Sequence, residues 1–585
     1  MKKLMTLCLA ALLGGGALFA QLTPNQRERD FVTLANVLAK RYAPANWKIV
    51  ALNANLFHIS PWVARVRAAQ NDLEFLDICA QYVSSLQDGH AQFIGPGNFL
   101  ADLGFYVDLY DGKLLVALID RNLLSTQDFP VERGDELLTF NGRPALAAAE
   151  ELAKLHTYAN PRYSLRLGAA NLTFRSQQDV PTAGLQGETA TVTIRRQSGA
   201  VESYMLPWFT QGTPITKFGA LPEFFGVESK QQRRYWDEEP EPVGSTEIPM
   251  WQKLHENFKR WGMHEANNPL RARRASFERK QDLGPEFYLG YGSNRPLWRL
   301  PQGFAIRQGR NPSDYFFTGT YMAEGKRIGY MRIGAFDNLS QGQTQILNNE
   351  INYFSENTDG LVVDVMQNPG GSCSMVTIAQ RLMRGDRFTH FSEQIRPSFD
   401  QIASYDEIID LLSTFGAPDY LLELYRFERQ LLIGAYQDGR GLTGAIPACA
   451  FDLEVPTAPN AYQKPMIVLI DDFSTSAADI FPAMFQDNGR AKLVGMRTSG
   501  AGGRVELVAA GPLSEARTTN TASLVVRARE YDVPGFPRSP YIENVGVRPD
   551  IELDFATTEN LLQNGTPFVD AFTRIILAEI GGGGY

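Results

Sequence analysis

Cysteine is scarce in this chain, with 4 among 585 residues, and one of them, Cys8, lies in a leader-like stretch. The other three, Cys79, Cys373 and Cys449, permit at most one disulfide, so no cysteine framework holds the fold together. No C-x-x-C pair occurs, and no two of the 6 histidines have metal-ligand spacing, so neither a structural zinc nor any other cofactor is expected. Long basic runs are missing too. With 56 Lys+Arg against 65 Asp+Glu the formal charge is −9, which argues against nucleic acid or an anionic membrane as the main partner. The N-terminal apolar run, Leu4 to Leu12, is well short of the roughly 20 residues a spanning helix needs. There is no internal repeat and no G-x-S-x-G elbow, which disfavours an α/β-hydrolase.

What is present is an ordinary globular composition, 44% hydrophobic and 21% charged, long enough for two to four domains at about 150 residues each. Lys2-Lys3, the apolar run, Gly14-Gly15-Gly16 and Ala17-Leu18-Phe19-Ala20 read as a secretory signal cleaved after Ala17 or Ala20. The mature chain is then exported, periplasmic or secreted, with no integral membrane segment.

Four regions follow. Residues 21–100 are helical, with Phe31, Leu34, Val37 and Leu38 at helical spacing and a second run from Asp72 to Leu86. Residues 101–206 turn to short β runs, among them Leu114 to Ile119 and a hairpin turned at Ser198-Gly199. Residues 207–320 are polar, Pro-rich and charge-dense around one helix, Met250 to Met263: a linker, a lid or an inserted subdomain. From 321 to 585 an α/β rhythm sets in, with strands Ile328 to Ile333, Leu361 to Val365 and Met466 to Ile470, a helical excursion near 405–437, and helix Ala477 to Asn488. The fold class expected is α+β and multidomain.

The most informative stretch is Val468 to Phe481, an apolar strand running through Asp471-Asp472-Phe473-Ser474-Thr475 into Ser476 and a helix. A Ser at that junction sits at the positive end of the helix, where backbone N–H groups can stabilise an oxyanion. A plain N-cap explains the same residue. Ser474 to Asp479 with Phe485-Gln486-Asp487-Asn488-Gly489-Arg490-Ala491 resembles the nucleophile region of the C-terminal-processing (tail-specific) serine peptidases. Asp364-Val365-Met366-Gln367-Asn368-Pro369-Gly370-Gly371 is similar to that family's strand and glycine loop, with Met366 where Arg is usual. Leu103-Gly104-Phe105 resembles the carboxylate-binding loop of a PDZ domain, and Glu132 to Leu138 with Asn141-Gly142 its central strand and turn. The resemblance implies a crotonase-like ββα peptidase core with a C-terminal helix.

One departure is instructive. Where the family's Ser–Lys branch carries its Lys, this chain has Ser499-Gly500-Ala501-Gly502, and a Ser hydroxyl without a base is a weak nucleophile. A second branch, with tricorn protease and the chlamydial protease-like activity factor, uses His and Glu. Gln87-Asp88-Gly89-His90-Ala91 resembles its His motif, and Tyr541-Ile542-Glu543-Asn544-Val545-Gly546-Val547-Arg548-Pro549 its Glu segment. The resemblance implies that His90 takes the proton from Ser476 while Glu543 holds the imidazole. Taken singly, His90 could be a cap or surface residue and Glu543 a turn residue.

Ala477, with Gly370 or Gly371, is the expected oxyanion hole, although a tight turn also explains the glycines. Leu103, Gly104 and Phe105 would bind a peptide terminus. Asp487 reads as structural. The expected function is an exported serine endopeptidase acting on polypeptide substrates through an acyl-enzyme, with segment 207–320 a candidate self-inhibitory lid. An inactive PDZ-containing peptide-binding relative and an ester hydrolase using the same triad are the alternatives. The oligomeric state is left open, a homodimer included.

Overall fold

The computed structural model describes residues 21–216, 248–259, 261–262, 270, 290–311 and 314–582. The leader expected at 1–20 and much of the 207–320 insert lie outside the described residues. Among the described residues no helix is long and apolar enough to cross a membrane.

The N-terminal region is helical as expected, with helices Pro24–Arg41, Ala45–Leu52, Ser60–Ala68 and Asp72–Ser84. Thr23 and Gln26 close a capping box on the first helix, satisfying two end groups reciprocally. Its Phe31, Leu34 and Leu38 are fully buried or nearly so, each contributing about 2 kcal/mol of transfer free energy. After Asp72–Ser84 the chain turns at Gln87, whose φ is +49°. It then runs through His90 into strand Phe93–Ile94, which pairs antiparallel with Ala516–Thr521 of the C-terminal region. That pairing carries His90 into the core.

The β region is an antiparallel sheet in the order Phe105–Tyr110, Lys113–Ile119, Glu136–Phe140, Thr189–Arg195, Val201–Pro207. Helix Pro161–Thr173, absent from the sequence expectation, packs against the edge strand Phe105–Tyr110.

The C-terminal region is built on a seven-stranded sheet, in the order Ala305–Gln308, Phe316–Ala323, Lys326–Ile333, Gly360–Asp364, Met466–Ile470, Lys492–Gly495, Ile551–Glu552. The first two pairings are antiparallel and the rest parallel. Helices Gln341–Asn357 and Ala477–Asp487 cover one face and Thr566–Ile580 the other, which explains why Gly360–Asp364 and Met466–Ile470 are buried throughout and apolar apart from Asp364. The sheet starts at Ala305, ahead of the expected boundary at 321, because its edge strand Ala305-Ile306-Arg307-Gln308 is half exposed and carries polar residues. The helical excursion is a hairpin, Phe399–Thr414 and Asp419–Gln437, on which helix Met250–Phe258 docks through Leu254 and Phe258. Cys373 and Cys449 form the one disulfide the count allowed, and Cys79 is free and buried.

Candidate active site

Ser476 ends the turn between strand Met466–Ile470 and helix Ala477–Asp487, with φ 62° and ψ −115°. A non-glycine residue in that conformation is strained and persists only where its surroundings over-determine it. Here the surroundings are Asp479, a buried carboxylate that accepts from the Ser476 N–H (2.7 Å), the Ser499 hydroxyl (3.0 Å), the Gly500 N–H (2.9 Å), the Ala501 N–H (3.3 Å) and the Thr498 hydroxyl. Burial raises its pKa to about 6 against those hydrogen bonds. The N–H of Asp479 goes to the Ser476 carbonyl (2.8 Å), so the Ser476 hydroxyl does not cap the helix. Its Oγ is buried and has no hydrogen-bond partner among the described residues.

His90 is buried as well, and neither ring nitrogen has a partner among the described residues. Its main-chain N–H donates to Asp88 Oδ1 (2.8 Å). Burial lowers the imidazole pKa from 6.5 to about 4; Asp88 opposes that shift and Lys48 adds to it. For Asp88 burial pulls upward, but Lys48, His90 and the Thr521 hydroxyl together bring it below the ordinary value.

Glu543 is fully buried. Its Oε1 accepts from Lys48 Nζ and its Oε2 from the Gly502 N–H (3.2 Å). Burial, with the Asp88 charge, pushes its pKa up to about 8 against the pull of Lys48. Lys48 also donates to the Gln87 carbonyl (3.2 Å) and Asn544 Oδ1 (2.8 Å), while Asn544 Nδ2 donates to the same Gln87 carbonyl (2.9 Å). Trp47 Nε1 donates to the Glu543 carbonyl (2.9 Å).

The structure thus gathers the three loops of the expected triad without its hydrogen bonds. Loop 498–502 joins them, tied to the Ser476 turn through Asp479 and to Glu543 through Gly502. The His90 loop abuts it: a methyl group built on Gly89 would lie 3.1 Å from Ala501 Cβ and 2.3 Å from the Tyr158 ring. Lys48, Asp88 and Asp479 were missed from sequence. Asp88 and Asp479 sit inside the quoted motifs, whereas the only signal for Lys48 was a lone charge in Trp47-Lys48-Ile49-Val50-Ala51-Leu52.

The oxyanion expectation needs a correction. The Gly370 N–H is spent on Asn368 Oδ1 (2.8 Å), which leaves Ala477, at the first turn of its helix, and Gly371. Asp487 is structural, holding Arg527 (2.6 Å) and the Ala528 N–H (3.2 Å). In the PDZ-like loop the Leu103 N–H donates to Thr173 O (2.9 Å) and the Gly104 N–H to Asp102 Oδ1 (2.8 Å), while Leu103 and Phe105 are buried. Arg166 of helix Pro161–Thr173 bridges Asp108 (2.7 Å), on the edge strand, to Asp472 (2.9 Å) beside the Ser476 turn.

Comparison with known proteins agrees with this architecture. Residues 327–553 match the model of peptidase family S41, and residues 100–223 match a PDZ domain. A protein of Chlamydia pneumoniae is 23% identical over 96% of this chain and 91% of its own length. Carboxyl-terminal-processing peptidase 3 of Arabidopsis thaliana is 29% identical over 20% of this chain and 21% of its own. The crystal structure of mature CPAF superposes with a TM-score of 0.71 at 20% identity, covering 96% of this chain and 99% of that one, which shows a shared fold. With a peptidase family S41 match over residues 327–553 joined to a PDZ match over residues 100–223, and a buried, strained serine at the start of helix Ala477–Asp487, the chain is a serine peptidase with an S41-type domain.

Proposed function

We propose that this is an exported endopeptidase that cuts polypeptides with Ser476 as nucleophile, His90 as base and Glu543 as the group that orients and stabilises the imidazolium. The observation that carries the reading is that Ser476 Oγ and both His90 ring nitrogens are buried and unpartnered. Each such group costs about 1–3 kcal/mol, and here the unpartnered atoms fall on the two residues whose reaction needs them free. The low pKa keeps His90 neutral at pH 7, the form a general base needs. In the reaction the imidazole takes the hydroxyl proton as Oγ attacks the carbonyl, then returns it to the leaving amine, and water repeats the cycle on the acyl-enzyme. Ala477 and Gly371 would receive the oxyanion.

The form described is latent on this reading, because Glu543 is engaged by Lys48 rather than by His90. Residues Trp261–Gly262 of the insert pair antiparallel with Gly371 and Gly370, where a substrate strand would lie, which supports a self-inhibitory segment. A part for the PDZ domain in recognising tails belongs to the same proposal under one condition. A terminal carboxylate must replace Thr173 and Asp102 as acceptor for the Leu103 and Gly104 N–H groups.

The test is a time course of casein digestion with intact mass read in parallel. Wild type is expected to cut and Ser476→Ala to lose at least about 10³-fold. Equal rates for the two proteins, or no cleavage after the insert has been cut, would sink the reading.

A further inference from the structure

Lys259, at the end of the insert helix, is a buried cation held away from its own segment's solvent face. Its Nζ lies 2.7 Å from both carboxylate oxygens of Glu428 and 3.3 Å from Glu393 Oε1. The Lys259, Glu393 and Glu428 side chains are 1%, 0% and 2% exposed. Arg504 Nε holds the other oxygen of Glu393 (2.9 Å), and the Tyr405 hydroxyl donates to Glu428 (2.9 Å). The charges therefore balance only with Lys259 in place. Remove it and two carboxylates share one guanidinium, which leaves a buried negative charge that calls for another cation.

The position of this pocket gives it a use. Arg504 lies two residues beyond Gly502, the donor to Glu543, so the pocket adjoins the loop that joins Ser476 to Glu543. Lys259 lies two residues ahead of Trp261, which pairs with Gly371. A peptide that takes the place of Trp261–Gly262 along the glycine strand brings its own side chain to the same pocket. The pocket is lined by Tyr405 and Tyr425, and the Lys259 ammonium sits 5.7 Å from the Tyr425 ring centroid, so the stem of a long cationic side chain is accommodated along with its charge.

We propose that the Glu393–Glu428 pocket is a specificity subsite for a Lys or Arg side chain of the polypeptide substrate, and that Lys259 fills it as an internal surrogate. The proposal rests on the peptidase reading for its biological use, but its test does not. Two fluorescein-labelled peptides are made with the sequence of residues 254–263, one with Lys and one with norleucine at position 259. Their binding to the full chain carrying Lys259→Ala is followed by anisotropy. The Lys peptide is expected to bind at least about tenfold tighter, and adding Glu428→Gln to the same chain should erase the difference. Equal affinity, or binding of neither, overturns the subsite.

If Lys259→Ala does not fold, as judged by circular dichroism, the cut sites of wild type on casein decide instead. Enrichment of Lys or Arg at one fixed position supports the subsite and a flat profile overturns it. The two readings fail separately. A chain that prefers the Lys peptide but never cuts loses the peptidase proposal and keeps the pocket. A chain that cuts through Ser476 with a flat profile keeps the peptidase proposal and loses the pocket.

Discussion

The two halves of the candidate site are finished to different degrees. On the nucleophile side five donors converge on Asp479: Ser476, Thr498, Ser499, Gly500 and Ala501. On the base side the imidazole of His90 has no partner among the described residues, and Glu543, the carboxylate proposed for it, is held by Lys48. Building the strained turn needs a rigid scaffold, which the fold supplies in one piece. On the proposed triad, the base would still have to gain Glu543, which Lys48 holds. The contrast separates the part of catalysis that the fold fixes in advance from the part that can be withheld.

The largest effect that would break the contrast is on the base. His90→Ala should lower kcat/KM by about 10³-fold or more with the melting temperature held or raised, since a buried unpaired imidazole is removed. A large loss of stability would instead make His90 a structural residue. Next is Lys48→Met, which leaves Glu543 buried and uncompensated and should cost about 3–5 kcal/mol in denaturant unfolding. Lys48→Met with Glu543→Gln should recover much of that loss, and the double-mutant cycle measures the coupling directly.

Asp479→Asn weakens the acceptor on the nucleophile side. It is expected to lower kcat by roughly 10–100-fold with KM little changed, because the strained turn, not the binding surface, depends on it. The smallest effect is one of pH. Because the folded chain holds His90 near 4 while the unfolded chain protonates it near 6.5, stability contributed by the neutral imidazole is complete above 6.5 and is lost as pH falls from 6.5 through 4. The acid limb of kcat/KM should fall in the same direction, with a midpoint below 6.5, and Asp88→Asn should move it lower, since Asp88 supports the charged form.

Legibility from sequence followed the same divide. The strand–turn–helix around Ser476 was readable because apolar strand, small-residue turn and helix are contiguous, as were most elements of the sheet. His90 and Glu543 were found through motifs, being 386 and 67 residues from Ser476 along the chain. Lys48 could not be found: its role depends on helix Ala45–Leu52 packing against the 543–546 segment, a long-range contact with no local pattern. Edge strand Ala305–Gln308 was hidden by half-exposed polar residues, and helix Pro161–Thr173 by Gly168 and its Asn and Thr residues, which weaken a helical signal. Nor did sequence show that the Leu103, Gly104 and Gly370 N–H groups are already spoken for, since hydrogen-bond occupancy is a property of the folded loop.

The contact between Gly89 and Ala501 reaches beyond this one chain. Ala501 is 1% exposed and lies against the His90 loop at Gly89, where the Tyr158 ring also packs. A lysine grafted at 501 would have to expel that loop before it could reach Ser476. On the proposed triad, a larger side chain at 501 and the His90 loop would therefore compete for one volume. A change of base at this site would then involve the packing of the His90 loop as well as the identity of residue 501.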